Sequence, residues 1–355
     1  MPYVDAPNTK IEIGDMNPRI LIVAANLEDE IIKTLTDGAV DGMTSAGVLK
    51  ENIVIHNINN PIEIPKKTKE LIIATRKEAR VDSKKIYKNK KYDYDYDAVI
   101  CIGIFIDGEM EDFDSKSMES YNEVLDIIVE TNVPCIMGIL TCNDYEQGLE
   151  RAGIGRKVKG ANHGYFWATA ALSEIKVRSN YCKGISDTSI FDGFSVPSNV
   201  KVEGGRNNKN VAILCAQWNM EINSEIVLET VRTLVKNGYD FNNIAVYSAS
   251  GSFELPGLAK YVIDVSRLEG VNENNRPIDS VVCIGSLIKG GTKHFKFIGD
   301  AVEISLEKIT SITKIQCVSG VLCCKSSDEA KLYAGIDVGE TKGVNIGSKL
   351  GNMVG

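Results

Sequence analysis

The chain has 355 residues, enough for two domains of ordinary size, and 43% of them are hydrophobic, enough for a sizeable core in each. Its net charge of −8 at pH 7 argues against nucleic acid as the main partner, and no basic face interleaved with aromatics runs along it. The nine cysteines form no CxxC pair and Cys323-Cys324 are adjacent, so neither a metal site nor a disulfide framework is expected, and an odd, unpatterned set suits a reducing compartment.

Residues 1–18 read as a loose arm with room for one short strand at 10–13. The arm carries Asp5, Glu12 and Asp15 and has no apolar h-region, so neither a secretory signal nor a typical transit peptide is expected there. Residues 19–25 (RILIVAA) have the length and β-branching of a buried strand. Helical periodicity follows over 31–46 and stops near Gly47; a strand is expected at 52–57, a turn over 57–61, and a second helix from Pro65 to about Arg80. Residues 82–97 are a polar insertion whose basic cluster, 84–91, runs into Asp93, Asp95 and Asp97, as a solvated loop does. A third strand at 98–105, a third helix at 117–131, a fourth strand at 134–140 and helical pieces at 144–151 and 160–175 complete this half. Alternating strands and helices predict a parallel sheet with helices on both faces. Right-handed crossovers then put the strand C-terminal ends, where such sheets bind ligands, along one edge. The longest apolar run, 98–106, is too short to span a bilayer, and a cytoplasmic protein with no membrane partner is expected.

Residues 183–208 are rich in Gly, Ser, Asn and Asp and read as a linker, with a short arm strand at 200–202. The second half then replays the first. VAILCA at 211–216 matches 20–25, GSFELP at 251–256 matches NPIEIP at 60–65, and VVCIG at 281–285 matches VICIG at 99–103. Gly320-Val321-Leu322 matches Gly138-Ile139-Leu140, and Ala334-Gly335 matches Ala152-Gly153. The offset is 191 residues early (Glu63 to Glu254) and 182 later (Cys101 to Cys283), changing where the first half carries its longer charged insertion. So consistent a diagonal means duplication. Two tandem three-layer α/β/α domains are expected, at 1–182 and 209–355, each with a mostly parallel four-stranded sheet.

One stretch concentrates the chemistry. From Cys283 the chain reads as a buried strand, breaks at Gly290-Gly291, and restarts as a helix near His294. Paired glycines leave N–H groups uncovered, Thr292 adds a hydroxyl, Lys289 and Lys293 add charge, and the new helix adds its N-terminal dipole, which together suit a small phosphate. A tight turn with a surface histidine is the plain structural alternative. The first copy lacks this chemistry: Asp107, Glu109 and Glu111 surround Gly108, and Asp112 stands at the position of His294, so four carboxylates face any dianion there.

Trp218 after a strand, the run GSFELP, and the run from Gly285 to Phe295 in the second half, with Gln147-Gly-Leu-Glu-Arg151-Ala-Gly and Lys159-Gly160 in the first, resemble lumazine synthase, the penultimate enzyme of riboflavin biosynthesis. The likeness covers nearly the whole chain as two copies and implies a flavodoxin-like fold. It implies a transferase that condenses 5-amino-6-(D-ribitylamino)uracil with 3,4-dihydroxy-2-butanone 4-phosphate, needs no metal or cofactor, and works between neighbouring subunits of a homo-oligomeric ring or shell. On this resemblance Trp218 stacks on the heterocycle, while Gly251, Ser252, Phe253 and Glu254 hold the ring and its ribityl chain. The backbone of Ile288 faces the pyrimidine; Lys289, Gly290, Gly291 and Thr292 bind phosphate; His294 transfers protons. The family's neighbour-supplied Arg and Lys correspond to Arg151 and Lys159 of the first copy; the second has Tyr333 at the Arg position and keeps Lys342. The first copy has Leu27 for Trp218 and Ile62 for Phe253, and the family's fourth-strand aromatic is Met137 in one copy and Ser319 in the other. These complementary losses point to composite sites in which Arg151 and Lys159 serve His294. A non-catalytic shell or scaffold, and a flavin or lumazine binder, are the competing readings.

Overall fold

Continuous runs of β-branched residues need cover on both faces, which a parallel sheet sandwiched by helices supplies. The computed structural model describes residues 11, 13–78, 92–182, 207–268 and 277–354 and contains two such four-stranded sheets. Its contacts divide the chain into two compact units, Met1–Lys176 with Gly290–Ala301, and Val177–Lys289 with Val302–Gly355.

The first half of the chain runs β1 (Ile20–Ala25), α1 (Glu30–Ser45), β2 (Ile53–Ile58), α2 (Ile64–Ala74), β3 (Lys77–Glu78), β4 (Tyr92–Asp93), β5 (Ala98–Ile106), α3 (Phe113–Thr131), β6 (Cys135–Cys142), α4 (Tyr145–Arg151) and α5 (His163–Cys182). The sheet order is β2-β1-β5-β6, all parallel, with Ile20 beside both Ile53 and Ala98 and Val99 beside Cys135. Alternate residues of a strand face opposite ways. Ile20, Ile22 and Ala24 enter a core with Leu35, Ala39 and Met43 of α1 and Trp167, Ala171 and Leu172 of α5, while α2 and α3 pack on the other face.

The second half runs β7 (Val211–Ala216), α6 (Met220–Lys236), β8 (Ile244–Ala249), α7 (Leu255–Ser266), β9 (Ser280–Ile288), α8 (His294–Thr313), β10 (Gln316–Cys324), α9 (Ser327–Tyr333) and α10 (Gly347–Met353). The order β8-β7-β9-β10 repeats that of the first sheet, again all parallel. Val211, Ile213 and Cys215 pack with Ile226, Val231 and Leu234 of α6 and Leu350 of α10.

The duplication extends to details of geometry. Gly153 and Gly335 both sit at φ +79°, in the left-handed region that glycine tolerates, and each abuts an asparagine, Asn162 or Asn345. Each asparagine donates to a carbonyl of the facing helix (Thr34 at 2.8 Å, Glu225 at 3.0 Å) and accepts from the amide two residues on, Gly164 or Gly347, at 2.8 Å. The helices α4 and α9 share an N-cap device: Asp144 accepts from the Gln147 amide and Ser326 from the Glu329 amide.

Some expected boundaries move. The second helix ends at Ala74, not near Arg80, because the Thr75 hydroxyl donates back to the Ile72 carbonyl (2.8 Å) and accepts from the Asp95 amide (3.2 Å), after which β3 pairs antiparallel with β4. Helix α3 starts at Phe113 rather than Ser117, and α5 continues to Cys182. Ile11 and Ile13 lie in no strand; the rest of 10–13, the basic cluster 84–91 and the arm strand at 200–202 fall outside the described residues. Among the described residues no helix is long and apolar enough to cross a membrane.

Candidate active site

In the second unit, three loops leave the carboxyl edge of the sheet. Trp218 follows β7, Gly251 to Glu254 follow β8, and Ile288 and Lys289 close β9. Open parallel sheets bind ligands along this edge. Trp218 is half-buried, whereas Ser252, Phe253 and Glu254 are buried. Glu254 is the N-cap residue of α7, with no cap bond from its own side chain. A Cβ at Gly251 would lie 2.8 Å from the Glu254 Oε2 and 3.5 Å from the Trp218 Cδ1, so the absence of a side chain lets carboxylate and indole converge there.

The loop that carries Trp218 is held by a buried polar network. The Asn223 Nδ2 donates to the Ala216 and Trp218 carbonyls, both at 2.8 Å, and its Oδ1 accepts from the Ser286 hydroxyl at 2.7 Å. Asn219, at φ 58°, donates from Nδ2 to the Ser286 carbonyl at 2.7 Å. At the repeat offsets the first copy has Ile32 and Ile104 where the second has Asn223 and Ser286, and both isoleucines pack in its core. The copy with Leu27 in place of Trp218 lacks this polar clamp as well.

The Gly-Gly turn and the start of α8 belong to the first unit. Gly290 has open space where a side chain would stand. The Gly291 carbonyl accepts from the Asn143 Nδ2 at 2.9 Å, and the Gln147 Nε2 lies 3.4 Å from where a Cβ on Gly291 would be. The Thr292 hydroxyl accepts from the His294 amide at 3.3 Å, at the start of α8. Asn143, Gln147 and Arg151 all come from the loop and helix that follow β6. Their counterparts in the second copy are Lys325, Glu329 and Tyr333, so only the first copy presents a wholly neutral or cationic set of donors.

His294 is half-buried, and its Nδ1 is hydrogen-bonded to the Tyr121 hydroxyl, with ring centroids 5.7 Å apart at 72°. Burial, reinforced by the field of Arg151, pushes its pKa down to about 4. His163, buried at the start of α5 and edge-on to Phe166 and Trp167, is pushed to about 3 by burial, by Arg151 and by His294. Both imidazoles are therefore neutral at pH 7, beside a permanent guanidinium charge.

Two further lysines were expected to take part. Lys293 forms an ion pair with Asp114 (2.7 Å), so its charge is already matched by a first-copy carboxylate. Lys159 is exposed on the loop between α4 and α5 and forms no ion pair with a described residue. Sequence inspection missed Tyr121, which sits in an apolar helix stripe and reads as core, and His163, although a third of the chain's histidines is a conspicuous fraction. Asn223 carried a weak signal, since asparagine is a poor residue for a helix interior unless its side chain is used, whereas Asn219 stands at the N-cap of α6, where asparagine is ordinary. All nine cysteines are free, and among the described residues no group of three or more His, Cys, Asp and Glu could hold a metal.

The fold and its edge loops define a tandemly duplicated α/β protein of the doubly wound kind, with two all-parallel four-stranded sheets. The 6,7-dimethyl-8-ribityllumazine synthase family model matches residues 17–179 and again 208–355, and the chain belongs to that family, once in each half. It is 32% identical over 166 residues to the 6,7-dimethyl-8-ribityllumazine synthase of Clostridium kluyveri, an alignment that covers 46% of this chain and 93% of the relative. It is 29% identical over 164 residues to that of Chlorobium phaeovibrioides, covering 46% and 91%. A single-copy relative thus spans about half of this chain, as the duplication requires.

Proposed function

We propose that this chain is a working lumazine synthase with one active face, carried by the second copy and completed by Arg151 of the first. The observation that carries the proposal is the convergence, within one compact unit, of the Gly291-Thr292 turn, the Arg151 guanidinium and the neutral His294. An uncovered glycine turn, a helix start and an arginine suit a phosphate dianion, because the charge-assisted contacts are strong and the backbone can approach closely. Trp218 and Glu254 supply a flat π face and a carboxylate, suited to a uracil ring and a polyhydroxy chain.

In this proposal the ring amine attacks the ketone of the phosphate substrate, and water leaves as the Schiff base forms. Phosphate departs by elimination and is held at the Gly291-Thr292 turn by Arg151. Attack of the remaining amine closes the second ring with loss of another water. His294 moves protons between these steps. Holding two substrates in one geometry supplies much of the acceleration, and a proton-transfer residue adds roughly 10²–10⁴-fold. The test is to incubate the purified full chain with both substrates and follow lumazine fluorescence. Product that forms unchanged in EDTA supports the proposal; folded protein that gives none at high enzyme concentration favours the scaffold reading.

A further inference from the structure

Resting on the function proposed above, a second role can be drawn from the side chain that touches His294. Tyr121 lies on α3 of the first copy and is fully buried, tilted against Phe297 at 5.8 Å between centroids. Its hydroxyl meets the His294 Nδ1. At the repeat offset of 182 residues the second copy has Glu303 in place of Tyr121, and the first copy has Asp112 in place of His294. The two members of the pair therefore come from different copies, and neither copy carries both at these positions. A phenol is a far stronger acid than a neutral imidazole N–H, and an imidazole nitrogen is a far better acceptor than a phenol oxygen. The proton of this bond accordingly sits on oxygen.

We propose that Tyr121 is the positioning residue of His294: its hydroxyl donates to Nδ1 and holds the ring as the neutral Nε2–H tautomer, so that the imidazole presents Nε2–H to the substrate as a hydrogen-bond donor, any proton it passes on being replaced at Nδ1 from the Tyr121 hydroxyl. A ring locked in one tautomer and one orientation presents a defined atom to substrate, and the partner of the other nitrogen decides which. The remaining charged or titratable groups around the ring agree. Arg151 opposes a positive imidazole, His163 is itself neutral at pH 7, and Lys293 at the start of α8 is matched by Asp114 of α3.

The test is ¹⁵N NMR of the full chain labelled at histidine, where only three residues give signals and His294→Gln assigns one of them. Expected is a protonated Nε2 and a hydrogen-bonded, unprotonated Nδ1 in the wild type, and a shift toward mixed tautomers in Tyr121→Phe, which keeps the ring but not the hydroxyl. Turnover of Tyr121→Phe should fall about tenfold or more in kcat with KM for both substrates nearly unchanged. An Nδ1–H tautomer in the wild type, or no change on Tyr121→Phe, overturns the inference whatever the activity. A changed tautomer with unchanged kcat overturns the positioning role. Should the wild type show the locked tautomer and yet make no lumazine, the tautomer assignment stands and the proposed function falls.

Discussion

At the scale of single residues, the site rests on two histidines kept neutral by their surroundings. Both folded pKa values lie below the ordinary 6.5, at about 4 for His294 and about 3 for His163. The unfolded chain therefore takes up protons first as pH falls, so the stability that these residues contribute is full above about pH 6.5 and is lost as pH drops toward 4 and below. Each fully developed pH unit in that window is worth up to ~1.4 kcal/mol per histidine. Urea midpoints followed by circular dichroism should fall between pH 7 and 5, and His163→Gln should flatten the fall; an equal slope in both proteins would speak against a buried neutral His163. For catalysis, His294→Asn should lower kcat by roughly 10²-fold or more. With a pKa near 4, His294 itself should contribute no ionisation to kcat/KM between pH 6 and 8; an inflection in that window that vanishes in His294→Asn would show that the imidazole titrates there.

At the scale of elements, the loop after β7 and the strand β9 are tied through Asn223 and Ser286. Asn223→Leu leaves the Ala216 and Trp218 carbonyls without this donor and the Ser286 hydroxyl without this acceptor, at a cost of about 1–3 kcal/mol. The accompanying kinetic effect should be a raised KM for the uracil substrate with little change for the phosphate substrate. Asn223→Ile with Ser286→Ile copies the apolar pair of the first copy and should recover much of the stability, since removing both partners is cheaper than removing one, but not the KM. Additive losses in the double variant, measured by urea unfolding, would contradict a shared network. The strands and most helices were legible in sequence because their signals are local: 20–25 and 211–216 are apolar throughout, and Asp29 caps α1 by accepting from the Ile31 and Ile32 amides just ahead of it. The end of α2 was not, since Thr75 is tied to Asp95, twenty residues on and beyond the charged insertion. Tyr121 was invisible for the same reason at greater range: its bond partner lies 173 residues away, and nothing in an apolar stripe distinguishes a tyrosine that packs from one that also positions.

At the scale of the whole molecule, the two copies have diverged in the residues of their edge loops. The first-copy loop with Asp107, Glu109, Glu111 and Asp112 should bind no phosphate, so titration with a phosphate analogue should reveal at most one site per chain; two equivalent sites would refute the division of labour. Among the described residues, Ile304 and Ile312 on α8 are exposed apolar side chains and strand β10 is half-exposed. If unlike copies alternate around a closed ring, an odd number of domains cannot close it. Either such a ring has an even number of domains, or rings are segregated by type and Arg151 is a relic; native mass spectrometry should find the even count if the composite reading holds, and a five-membered ring of like domains would contradict it. The central claim, that a first-copy arginine serves the second copy's turn and histidine, is tested most directly by steady-state kinetics of Arg151→Ala beside Lys342→Ala in the full chain. Arg151→Ala should lose several-fold or more in kcat/KM, mainly through a higher KM for the phosphate substrate, because an arginine–phosphate contact is charge-assisted, while Lys342→Ala, whose lysine pairs with Asp337 on an exposed loop, should behave as wild type. An unchanged Arg151→Ala alongside a clear loss in Lys342→Ala would contradict it.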